Sequence, residues 1–159
     1  MTKQFRGTYT VMITAFDAEG HLDLEAQARF TDWQVREGIH GLIPLGSTGE
    51  FLSMSAEERR AVAKCVIDTV AGRVPVLIGA GAESTDEVID NVAMAEELGA
   101  DGTMIIPPFY STPTWDELIH HFGRIGDAAT RPVMIYNNPA TANVDLTPPL
   151  VAELSHLPQ

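Results

Sequence analysis

The sequence predicts an α/β protein built from five βα units in series, and three observations predict it. Short apolar runs rich in Val and Ile recur at residues 8–14, 41–45, 74–78, 102–106 and 132–136. Their starts lie 33, 33, 28 and 30 residues apart, which leaves room for one helix per interval, the period of parallel strands joined by crossovers. Within the runs apolar and polar residues do not alternate cleanly, as expected of strands buried on both faces.

The first run (TYTVMIT) is followed by a segment that Gly38 closes, suiting a left-handed helix end. After the second run (GLIPL), Ser55 and Glu58 have capping-box spacing: the hydroxyl accepts the N3 amide and the carboxylate reaches back to the N-cap amide. Val62, Val66 and Val70 then recur every fourth residue and give a helix one apolar face, ended by Gly72. After the third run (VPVLI), Ser84 and Glu87 repeat the box, Val88 and Val92 repeat the face, and Gly99 repeats the end. The fourth run (GTMII) precedes a third box, Thr114 and Glu117. The fifth run (PVMIY) precedes Thr147 and Pro148, an N-cap with Pro at the first helical position, opening a fifth helix. Residues 37–45 and 98–108 echo each other two βα units apart. With no linker or low-complexity segment, residues 1–159 are expected to form a single domain. Two architectures accommodate five such units. A doubly wound sheet would be complete at this length; a (β/α)8 barrel runs to about 250 residues, of which five-eighths is about 156.

Composition narrows the function. Lys and Arg number 10 against 22 Asp and Glu, a formal net charge of −12. That balance argues against nucleic acid and against anionic membrane surfaces, both of which require clustered cations. The single cysteine, Cys65, excludes an internal disulfide and a Cys-rich zinc site. The N-terminus lacks the apolar core of a signal peptide, and no apolar run approaches a membrane span, so a cytoplasmic protein is expected.

Sites in both architectures gather at the C-terminal ends of the strands. Gly46-Ser47-Thr48-Gly49-Glu50 follows the second run and offers hydroxyls and amides in a tight loop, an anion nest without the lysine of a P-loop. Tyr110 and Tyr136 each follow a strand, where a phenol can relay protons or simply pack at a rim. Residues 79–84 (GAGAES) imitate a dinucleotide fingerprint weakly: Ser84 replaces the third Gly, and the motif follows the third strand rather than the first. The histidines, His21, His40, His120, His121 and His156, show no ligand spacing, and no metal is expected. Cys65 lies beside Val66 and is expected to pack as a small hydrophobe.

Taken in order, GSTGE (46–50), GADG with PPFYSTP (99–113) and YNNP (136–139) resemble the dihydrodipicolinate synthase / N-acetylneuraminate lyase family of pyruvate-dependent class I aldolases. The resemblance extends from Phe5-Arg6-Gly7 to the fifth helix. It implies a TIM (β/α)8 barrel, of which this chain is the N-terminal part with five βα units, packed as a homo-oligomer, a dimer of dimers. It also implies a Schiff-base lyase acting on pyruvate or a 2-keto acid without a cofactor. Gly46, Ser47, Thr48 and Gly49 would hold the pyruvate carboxylate, with the Ser47 hydroxyl also in the proton relay. Tyr136 would be the general acid/base beside the imine, and Tyr110 would complete the relay from a neighbouring subunit. The family's Schiff-base lysine, at the end of strand six, falls beyond Gln159. Of the chain's two lysines, Lys3 lies in the tail and Lys64 in mid-helix. The 159-residue chain alone is therefore expected to be inactive, a truncated non-catalytic barrel being the alternative. Two positions depart from the family. Ala15 replaces the Pro of Thr-Pro-Phe, and Thr141 stands where dihydrodipicolinate synthases carry an Arg for the aldehyde's carboxylate, which leaves sugar-acid lyases and dehydratases open.

Overall fold

The structure, a computed structural model, describes residues 5–158. Each apolar run gives rise to a strand, the third of which ends one residue past its run: β1 Tyr9–Val11, β2 Gly41–Ile43, β3 Leu77–Gly79, β4 Gly102–Ile105 and β5 Val133–Ile135. All pair in parallel, β1 with β2, β3 with β4, and β4 with β5. A parallel bridge between Leu42 and Val76 joins β2 to β3, supported by bonds from Leu42 N to Pro75 O (3.1 Å) and from Gly79 N to Pro44 O (2.9 Å). The strands thus stand in sequence order, each crossing to its immediate neighbour. A doubly wound sheet reverses its order part-way, whereas a (β/α) barrel does not, so the order is that of the barrel class. β3 is displaced toward the C-terminus of its run because Pro75 has no N–H to donate, and the regular ladder begins after it.

The helices are α1 Leu24–Arg36, α2 Ala56–Val70, α3 Thr85–Glu97, α4 Trp115–Ala128, α5 Pro139–Ala142 and α6 Pro148–Leu154. Reciprocal capping boxes form at Ser55–Glu58 and Thr114–Glu117, and N-caps of this kind contribute about 1 kcal/mol each. At the third predicted box only half forms. Ser84 accepts the Glu87 amide, but the Glu87 carboxylate turns to Arg59 of α2 (3.4 Å). Gly38, Gly72 and Gly99 adopt φ of +87°, +76° and +93° at the helix ends, where a side chain would be strained. Thr147-Pro148 opens the sixth helix rather than the fifth, because Pro139 starts a four-residue turn first, stopped by Asn143 at φ +56°. An antiparallel bridge between Phe16 and Leu22 follows β1, and Asp23 caps α1 through the Ala26 amide (2.8 Å).

The sheet is covered on one side by helices. Met12, Leu42 and Ile78 pack with Val62, Val66 and Val70 of α2. Ile105 packs with Val88 and Val92 of α3 and with Leu118, Phe122 and Ile125 of α4. On the opposite, inner side, Ile43, Leu77 and Met104 form a smaller cluster against Phe5, Tyr9 and Tyr136. Inner-face residues on the two edge strands stay open: Val11 is 39% and Met134 39% exposed.

Candidate active site

The loop after β2 is shaped by backbone rather than by charge. Leu45, buried, takes the left-handed conformation at φ +63°, which costs a residue with a Cβ about 1–2 kcal/mol. Its carbonyl lies against Gly79, where a Cβ would collide with it. The chain then winds through a tight turn at Ser47–Gly49, passes Glu50 at φ +58°, and makes a second turn at Phe51–Ser53. The buried Thr14 hydroxyl, just past β1, donates to the Gly49 carbonyl (2.7 Å). A Cβ on Gly49 would stand 3.0 Å from the Met12 carbonyl oxygen, and one on Gly46 would stand 2.9 Å from Val11 Cγ1. Glycine at these positions lets the loop lie flat on the strand ends.

Gly46 and Ser47 form one wall of a small hollow at the C-terminal ends of β2–β5, with Gly79, Gly81, Met104 and Tyr136 around it. Tyr136 is fixed at its backbone by a bond to Ile105 O (2.8 Å). Its hydroxyl oxygen accepts from Asn138 Nδ2 (3.0 Å), which leaves the phenolic hydrogen free to be given elsewhere. Asn137 secures the next turn, accepting from the Leu146 amide (3.0 Å) and donating to Asp145 (2.9 Å). No charged side chain lines the hollow. An anion held there would be met by hydroxyls and amide N–H groups.

The structure therefore brings Gly46, Ser47 and Tyr136 to one place. Gly49 underlies them through Thr14. Thr48 is exposed and outside the lining, as is Tyr110, whose side chain is 90% exposed. The loop that bears Tyr110 is nevertheless anchored. Glu83, after β3, accepts from the amides of Phe109, Tyr110 and Ser111 (3.0, 3.0 and 2.9 Å) and from the Ser111 hydroxyl (2.7 Å). Burial pushes the Glu83 carboxyl up, but the four hydrogen bonds outweigh it and hold the group below the usual range. Asn143 Nδ2 steadies the same loop at the Phe109 carbonyl (3.2 Å). The segment that imitates a dinucleotide fingerprint is thus engaged otherwise: Gly81 packs on Ile106, Glu83 clamps the next loop, and Ser84 caps α3. Thr14, Glu83 and Asn138 carried no mark of these roles in the sequence.

The remaining candidates lie apart. Lys64 is exposed on α2 and pairs with Asp68; Lys3 lies outside the described residues. The half-buried Cys65 thiol donates to the Leu24 carbonyl (3.4 Å), and burial pushes its pKa up, which keeps it a thiol rather than a nucleophile. His120 is exposed and its neighbour His121 is buried. Among the described residues no group of three or more His, Cys, Asp or Glu could hold a metal ion, and no helix is long and apolar enough to cross a membrane.

Residues 4–159 match the sequence profile of the dihydrodipicolinate synthetase family. The chain belongs to this family. Among its relatives, the 4-hydroxy-tetrahydrodipicolinate synthase of Ruegeria pomeroyi is 43% identical over 155 residues, covering 98% of this chain and 53% of the relative. That of Nitrobacter hamburgensis is 42% identical over 154 residues, covering 97% and 52%. In solved structures the fold superposes at TM-score 0.95 on the dihydrodipicolinate synthase of Acinetobacter baumannii complexed with pyruvate, 30% identical, over 98% of this chain and 53% of that one. It superposes at TM-score 0.92 on an E. coli K12 prophage protein of the same family in complex with pyruvate, 42% identical, over 96% and 51%. The dihydrodipicolinate synthetase family member described here spans about half the length of the curated relatives it matches.

Proposed function

We propose that this chain is the N-terminal part of a (β/α)8 barrel, a Schiff-base lyase acting on pyruvate or a 2-keto acid. The observation that carries the reading is the shared hollow of Gly46, Ser47 and Tyr136 at the C-terminal strand ends. In this reading the pyruvate carboxylate lies against the amides and hydroxyls of the 46–49 loop, and Ser47 passes the proton that Tyr136 gives and takes at the imine. Thr48 would contribute its exposed hydroxyl to the carboxylate. Tyr110, facing solvent, would serve the hollow of a second copy within a homo-oligomer. The imine supplies the electron sink for bond cleavage, so the chemistry needs no further cofactor. By the family resemblance its lysine would come at the end of a sixth strand, beyond Gln159, and Lys64, on an outer helix, is not at a strand end. Thr141, exposed on α5, offers no cation to a second carboxylate, which leaves sugar-acid lyases and dehydratases open beside dihydrodipicolinate synthase chemistry.

The test is intact mass spectrometry of the protein from the cells that make it, after incubation with pyruvate and borohydride, which fixes a lysine imine as a stable adduct. A chain heavier than 17.2 kDa with one pyruvate-derived adduct supports the proposal. A 17.2 kDa chain without adduct favours a non-catalytic fragment, and an adduct on that chain refutes the placement of the lysine.

A further inference from the structure

We infer that Glu83 is a positioning residue: its carboxylate, received by the backbone of residues 109–111, fixes the loop that presents Tyr110. The inference rests on the functional reading above for the use made of Tyr110, but the clamp itself stands on geometry. Three consecutive amides, of Phe109, Tyr110 and Ser111, converge on one carboxylate at 2.9–3.0 Å, and the Ser111 hydroxyl adds a fourth bond at 2.7 Å. Consecutive N–H groups aimed at one point form a nest for an anion, and here the anion is supplied from another loop of the same chain. Each oxygen has its own partners: Oε2 takes Phe109 and Tyr110, and Oε1 takes both groups of Ser111. Both ends of the side chain must therefore be acceptors. From the other side, Asn143 holds the Phe109 carbonyl and Phe109 packs edge-on to Phe51 at 6.3 Å between centroids. The backbone of Tyr110 is thus tied at both sides while its ring is 90% exposed. An exposed aromatic on a tied backbone has already lost the backbone entropy that binding would otherwise cost it, and it is ready to act beyond its own subunit.

Amide hydrogen exchange on the full chain, wild type against Glu83→Gln and Glu83→Asp, tests the assignment. Glutamine keeps length and volume but places an NH2 against N–H donors, so protection at Phe109, Tyr110 and Ser111 should fall at least tenfold. Amides of α3 and β4 should change less than twofold. Aspartate restores two acceptors on a shorter reach and should recover part of the protection. Wild-type exchange at the three amides in Glu83→Gln overturns the inference. So does an equal loss of protection in α3 and β4, which would make Glu83 a general prop, and so does no recovery in Glu83→Asp. Imine formation is read separately, on the protein from the cells that make it: an intact clamp in a chain heavier than 17.2 kDa that forms no imine refutes the proposed function and leaves the clamp standing.

Discussion

His121 should set a stability loss on mild acidification that a single substitution removes. The imidazole is 5% exposed on α4, beneath the Glu83 loop. Its Nδ1 meets the Thr85 hydroxyl at 2.9 Å, its ring stands edge-on to Phe122, and its Nε2 has no partner among the described residues. A neutral ring tolerates this, whereas the imidazolium would carry an N–H into a site with no acceptor. Burial, followed by the nearby Arg124, pushes the pKa from the ordinary 6.5 down to about 4; the Glu83 charge opposes this and His120 adds to it. Between those values the unfolded chain binds the proton and the folded chain does not. Stability is therefore full above the unfolded value and is lost as pH falls toward the folded one. At about 1.4 kcal/mol per pKa unit the full loss approaches about 3.5 kcal/mol, and relaxation and water entry reduce it to about 2–3 kcal/mol. Urea denaturation of wild type and His121→Phe, at neutral pH and again near pH 4, measures it. The substitution keeps the aromatic packing and removes the titrating group. Acidic side chains not coupled to the ring, such as Glu96, also lose stabilising charge in acid, but equally in both proteins, so they cancel in the difference. An identical fall in the two proteins would refute the argument.

Thr14→Val removes the hydroxyl that donates to the buried Gly49 carbonyl (2.7 Å) and should destabilise by about 1–3 kcal/mol in chemical denaturation, with the far-UV circular dichroism unchanged. Gly79→Ala drives a Cβ into the Leu45 carbonyl, and because a backbone atom cannot rotate away the cost should reach at least the usual overpacking range of about 1–3 kcal/mol, read as a lower urea midpoint. Under the proposed function, Tyr136→Phe in the assembled enzyme should leave the midpoint nearly unchanged and cut kcat by about 10²–10⁴-fold; wild-type turnover would remove Tyr136 from the mechanism.

What the sequence disclosed and what it withheld divide along the range of the interactions. Val62, Val66 and Val70 announce a buried helix face because the helix period alone brings them together. The Ser55 and Thr114 boxes close within four residues, and both form. The Ser84 box has the same local spacing, yet Glu87 is drawn to Arg59 on another helix, a competitor no local pattern contains. Thr14 and Glu83 meet partners 35 and 26–28 residues away, so their identities gave no sign of their roles. The left-handed Leu45 is hidden for another reason: its residue type argues against the conformation that tertiary packing imposes. GSTGE was legible as a turn-forming, donor-rich loop, but which of its residues face the hollow depended on that strained turn.

The inner face of the sheet links closure to chemistry. Side chains alternate along a strand, so Val11 and Ile13 share one face, and Met134 and Tyr136 share one face. Pairing identifies that face: Val11 stands beside Ile43 and Met134 beside Met104, both in the inner cluster. Val11, Ile13 and Met134 are 39%, 53% and 39% exposed, while the central Ile43, Leu77 and Met104 are buried. Covering the open half of each edge residue is worth about 1 kcal/mol apiece, a meaningful share of a typical net stability of about 5–15 kcal/mol. Tyr136 follows Met134 by two residues, just past the end of β5, which like β1 pairs on one side only among the described residues. Under the proposed reading, the strand that would bring the lysine is the next to pair with that edge. One step would then bury Met134, hold β5 on both sides and set the imine beside the phenol. The proton-transfer geometry and the completion of the barrel would be the same event.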